Sequence, residues 1–160
     1  MSLLKKLFGS SKKPAPQPPP SRVLKLAHEV TSENGPRFAR QFVDAVNRID
    51  SVELNYQKDS LGFVDSFLDR FKKEGLTANE FAETIFVAGC YVGEVMVTTI
   101  NGKWVNESDV AVPGQAKLTR IVVQLSNGHV ADPIAKAFKR FQFGESESLS
   151  YFYEIFAKAK

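Results

Sequence analysis

Glu94 is the one carboxylate in the longest apolar run of this 160-residue chain, Ile85 to Ile100. A carboxylate carried into an apolar helix must find donors or take up a proton. In that state it could serve as a general base or hold a cation. The run supplies no second carboxylate and no histidine to share such work. The reading is therefore structural: Glu94 accepts from Trp104 Nε1, from a backbone amide of the following hairpin, or from a lysine or arginine.

The other reactive side chains are scattered. His28 and His129 fall in different elements, and neither belongs to a His-x-x-x-His or Cys-x-x-Cys pattern, so no metal site is expected. Cys90, the sole cysteine, sits inside the apolar run and reads as a small core residue. No Gly-x-Ser-x-Gly, phosphate loop or dinucleotide fingerprint is present. No catalytic residue and no cofactor are assigned. A small enzyme using Glu94 with His129 is kept as an alternative, and a Cys90–His129 dyad would likewise need the fold to join distant segments.

Binding chemistry has two candidate locations. Lys136, Lys139 and Arg140 recur at helical spacing and form a candidate face for an anion or an acidic partner; the plainer reading is a solvated helix face. The second location is the N-terminal tail, residues 1–20. There Leu3/Leu7 and Leu4/Phe8 are i,i+4 pairs opposite lysines, a candidate weak contact with an anionic membrane surface. Lys13-x-x-Pro16-x-x-Pro19 could instead dock a proline-reading domain. Ser2 removes the glycine that N-myristoylation requires.

Charge distribution excludes a nucleic-acid reader. The chain carries +3, but Lys5, Lys6, Lys12 and Lys13 put +4 on residues 1–20, which contain no acid; residues 21–160 are left with the difference, −1. A basic domain face is missing. The lone cysteine fits a reducing compartment. The tail's apolar residues are split by Lys5-Lys6, unlike a signal peptide, and no run reaches the roughly 18 residues of a membrane span. The expected location is the cytoplasm.

The elements that must position these groups follow from apolar spacing. The Pro14–Pro20 run is an extended spacer. Residues 21–50 read as broken helix, with an apolar patch at Val23, Leu24, Leu26, Ala27 and Val30, then a stop at Asn34-Gly35-Pro36, then Phe38, Phe42, Val46 and Ile49 at helical spacing. Leu61, Val64, Leu68 and Phe71 predict a helix from about residue 58 to 73. Thr77-Ala-Asn-Glu80 is a capping box opening a central, nearly all-buried helix over about residues 78–99. Gly89 and Gly93, four apart within it, predict a tight internal helix crossing; each glycine costs about 1 kcal/mol against alanine, which close packing must offset. Residues 103–105 and 120–125 read as strands around a polar loop containing Pro113-Gly114. Ser126-Asn127-Gly128 is a hairpin turn leading to a short return strand. Asp132-Pro133 starts a helix with Ile134, Phe138 and Phe141 inward. Ser146 or Ser148 caps a last helix in which Leu149, Phe152, Ile155 and Phe156 pack inward. The sum is one α+β domain over residues 21–160: helices around a central buried helix, a small antiparallel sheet at about 103–131, and two C-terminal helices.

Several of these motifs recur together in a known layout. Leu54-Asn55-Tyr56, Ser60-Leu61, Val64-Asp65, Gly89-x-Tyr91-x-Gly93-Glu94, Gly102-x-Trp104 and Asp132-Pro133-x-x-Lys136-x-x-Lys139-Arg140 resemble a group of small cytosolic bacterial domains of unknown function. The likeness covers about residues 50–158. It implies an accessory, binding or immunity-like role and assigns no chemistry to any residue. The sequence therefore predicts a non-enzymatic domain acting through a protein partner. A peripheral membrane adaptor tethered by residues 1–13 is an alternative, and the oligomeric state is left open.

Overall fold

The computed structural model describes residues 24–112 and 117–159. The tail with Leu3, Leu4, Leu7 and Phe8, together with Val23 and the Pro113-Gly114 turn, lies outside the described residues. The fold is α+β. Its helices are α1 (Gly35–Asp50), α2 (Leu61–Lys73), α3 (Ala82–Thr99), α4 (Pro133–Phe143) and α5 (Leu149–Lys158). Its strands are β1 (Lys103–Asn106), β2 (Ile121–Gln124) and β3 (Val130–Ala131), ordered β1-β2-β3 and antiparallel throughout.

Helix α3 is the axis of the molecule. Every residue from Ile85 to Met96 except Glu94 is buried. Helices α1 and α4 are its most extensive neighbours, and α2 packs mainly on α4 and α5. A run of aromatic rings links these layers: Phe42 to Phe67, Phe67 to Phe71, Phe71 to Phe81 and Phe81 to Phe141, with centroids 4.9–5.7 Å apart. Such spacing suits tilted and edge-to-face contacts, so Phe42, Phe67, Phe71, Phe81 and Phe141 form one connected run through the core.

The two glycines of α3 admit different neighbours. A Cβ on Gly89 would lie 2.6 Å from the Ile134 Cα, so the first turn of α4 crosses here in backbone contact. A Cβ on Gly93 would lie 2.3 Å from the Trp104 ring. The opposite wall of that ring's slot is Gly35 of α1, where a Cβ would lie 2.6 Å away. Trp104 pairs with Val123 across β1 and β2, so its seat between α1 and α3 fixes the sheet against the helices.

Several boundaries differ from the sequence expectation. The capping box forms, with Thr77 N–H donating to Glu80 Oε1 (3.0 Å) and Glu80 N–H to Thr77 Oγ1 (3.1 Å). It closes a separate turn, however, and α3 begins only at Ala82. Residues 24–30 are not helical: their burial alternates, with Leu24, Leu26, His28 and Val30 half-buried and Lys25, Ala27 and Glu29 exposed. That is the period of an extended strap, which the 24/26/30 spacing already carried. At the hairpin only Gly128 takes a positive φ (88°), while Gly128 N–H donates to Leu125 O and Leu125 N–H to His129 O. This is a turn closed by a glycine bulge rather than two left-handed residues in succession. In α5, Ile155 is exposed, and Tyr153 takes the inward place with its hydroxyl 2.8 Å from Thr99 Oγ1.

Candidate functional site

Glu94 and Trp104 meet. Trp104 Nε1 donates to Glu94 Oε1 at 3.2 Å, tying α3 to β1. Glu94 is half-buried, and desolvation raises its pKa above the ordinary carboxylate value, offset in part by the indole donor. His129 is exposed on the hairpin, where its N–H donates to Asn127 Oδ1. Neither Glu94 nor His129 lines the apolar groove described below or the two smaller cavities. Cys90 is fully buried, and burial pushes its thiol well above the usual range, which disfavours the thiolate that nucleophilic work needs. His28 packs edge-on against Phe38 at 5.8 Å. Among the described residues no group of three or more His, Cys, Asp or Glu side chains could hold a metal ion.

A second polar cluster lies close to Glu94. Tyr91 Oη accepts from the Tyr56 N–H at 3.0 Å and lies 2.6 Å from Ser60 Oγ. The Tyr56 and Tyr91 rings pack at 5.2 Å, and Tyr56 adopts a left-handed φ of 61°. Burial raises the pKa of both phenols; the Arg40 guanidinium opposes that rise at Tyr56 and the Glu94 carboxylate adds to it. Tyr91 thereby pins the link between α1 and α2 to the central helix. These groups satisfy one another and serve packing.

Lys136, Lys139 and Arg140 do not form one cationic face. Arg140 is only 5% exposed; its Nε donates to Asp65 Oδ1 at 3.0 Å, and Asp69 lies 3.7 Å from its Nη1. The same Asp65 carboxylate accepts the Leu149 N–H at 2.9 Å and the Ser150 hydroxyl at 3.2 Å. Asp65 thus neutralises Arg140 and caps the N-terminus of α5, where the helix dipole favours an anion. Lys136 is ion-paired with Glu147 and mostly covered. The spacing of three residues does put Lys136 and Lys139 on adjacent turns, but α5 and the turn before it cover the flank holding Lys136 and Arg140. Lys139 alone stays exposed.

Lys139 stands on the wall of the largest cavity described, an open groove of about 780 Å³. One wall is the strap, through Leu24, Leu26 and Val30; the floor is Phe86 of α3 with Ile134 and Phe138 of α4. The remaining wall is the segment entering β2, with Leu118 and Thr119. Its charged members are Lys117, Arg120 and Lys139, all exposed, against one acid, Glu29. None of the three cations makes an ion pair within the described residues. Gln142 also lines the groove, and its Nε2 is buried without a hydrogen-bond partner among the described residues. Size, apolar lining and few polar groups are the marks of a binding site. The sequence reading missed this groove because its walls come from four separate segments; only the two-residue alternation of the strap hinted at a one-sided apolar surface.

No protein-family model, curated protein or solved structure matches the chain. No helix among the described residues is long and apolar enough to cross a membrane.

Proposed function

We propose that this protein is a non-enzymatic interaction domain, of accessory or immunity-like type, whose working surface is the groove between the 24–30 strap and α4. The observation that carries the reading is the groove itself: an open apolar trough in a molecule whose candidate reactive groups, Glu94, Cys90 and His129, all lie outside it. Glu94 is bonded to Trp104, Cys90 is enclosed and His129 stands apart on the hairpin. A trough of this size left open to water costs free energy, which a partner's apolar side chains would recover. The reading places the protein in the bacterial cytoplasm, in keeping with a single, reduced and buried cysteine.

A photo-crosslinking residue placed at Leu26 or at Lys139 tests this in native cells. Both positions should trap the same discrete partner, and the same residue at Lys73, exposed at the end of α2 and away from the groove lining, should not. Equal trapping at all three positions would refute the reading.

A further inference from the structure

We infer that the occupant of the groove is an acidic amphipathic helix of a partner protein; this rests on the groove being the working surface. Three features select that occupant. The first is shape. Leu24, Leu26, Val30 and Leu118 each remain partly exposed, so the site is a trough open along one side rather than an enclosed chamber. A trough accepts a segment laid across it, whereas a small apolar ligand gains most from full enclosure.

The second feature is the distribution of apolar anchors. Leu26 and Val30 stand on one wall, with Phe86, Ile134 and Phe138 beneath. Ile134 and Phe138 lie on successive turns of α4 and are largely covered, so they set the pitch of the floor while Leu24, Leu26, Val30 and Leu118 carry the accessible apolar area. A helix carrying apolar residues at i, i+3 or i+4, and i+7 presents anchors at the matching pitch.

The third feature is charge. Lys117, Arg120 and Lys139 surround the trough with only Glu29 to oppose them. Complementary charge steers a partner to the site and rejects the wrong sign. This argues against the chain's own leader: residues 1–20 carry +4 and join the body just before Leu24, on the groove wall. The groove would repel the leader and attract glutamates beside the partner's anchors.

The test is a charge swap on the full-length protein. One synthetic helix carries leucines at i, i+4 and i+7 flanked by glutamates; a second keeps the leucines and replaces the glutamates with lysines; dodecanoate is the third probe. Arg120 and Lys139 are exposed, so the double variant R120E/K139E should keep the native circular dichroism spectrum. The glutamate helix should bind at least about tenfold tighter than the lysine helix, a gap of about 1.4 kcal/mol, and R120E/K139E should reverse that preference. Equal binding of both helices would overturn the acidic partner while leaving the groove as a binding surface. Binding of dodecanoate with neither helix competing would replace a protein partner by a lipid, again with the groove intact. No binding by any probe, with crosslinking at Leu26 still specific, would overturn the helix alone; loss of both would remove the groove reading as well.

Discussion

Lys139 and Arg140 are consecutive residues of α4 that serve opposite sides of the molecule. Lys139 is exposed on the groove wall, whereas Arg140 is buried against Asp65. Two like charges in sequence thus divide into a groove wall and an internal tie.

This division gives a stability contrast. Asp65→Ala removes the Nε partner of buried Arg140, leaving only Asp69 at 3.7 Å from its Nη1, and takes the acceptor from the Leu149 N–H at the start of α5. It should cost about 1.5–3 kcal/mol, the usual worth of a hydrogen bond to a charged group. Lys139→Ala should lie within about 0.5 kcal/mol of the parent, as exposed substitutions do. Urea denaturation of both variants measures the difference.

The Trp104 slot gives a second contrast. Gly93→Ala would improve helix propensity, yet its methyl would fall 2.3 Å from the indole ring. The overpacking should win and cost about 1–3 kcal/mol or more. Gly62→Ala on α2 meets nothing within 4 Å and should stabilise by up to about 1 kcal/mol. Since Trp104 is the sole tryptophan, its emission should shift to the red in Gly93→Ala and stay unchanged in Gly62→Ala.

Glu94 supplies a pH dependence of defined sign. Its folded pKa is raised by burial, so the native state binds the proton more tightly than the unfolded chain does. The charge therefore destabilises the fold above the raised value, and the penalty fades as pH falls toward the ordinary carboxylate value. Glu94→Gln keeps an acceptor for Trp104 Nε1 without the charge. Its melting temperature should exceed that of the parent at pH 7 to 8, and the two should converge on acidification. A gap that widens toward acid pH would contradict this assignment.

Cys90 is fully buried with its thiol raised well above the usual value. A chromogenic disulfide reagent should label it negligibly in the native protein and completely in denaturant. Rapid native labelling would require an opening that α3 does not provide.

Much of the frame was legible because it depends on local spacing. Phe38, Phe42 and Val46 announced α1, Asp132-Pro133 announced α4, and Ser148 caps α5 through the Tyr151 N–H. What escaped were features set by distant partners. Nothing near Arg140 in sequence reveals Asp65, 75 residues away, so a buried cation read as a surface one. The strap's alternation was present at Leu24, Leu26, His28 and Val30, but its apolar residues next to a helix-forming region read as more helix. The groove belongs to no single segment, and only assembly of the strap, α3, α4 and the approach to β2 creates it.

The central claim concerns where the protein binds, and hydrogen exchange of the full-length protein with and without the glutamate helix tests it most directly. Residues 24–30 and 117–119 lie outside regular structure; apart from Lys25 and Thr119, whose N–H groups donate to Glu83 and Asp132, their amides should exchange readily when free and report any cover laid over them. The account requires protection of both segments by the bound helix, lost in R120E/K139E. Protection confined to the exposed face of α5 around Tyr151 and Ile155, with residues 24–30 unchanged, would contradict it.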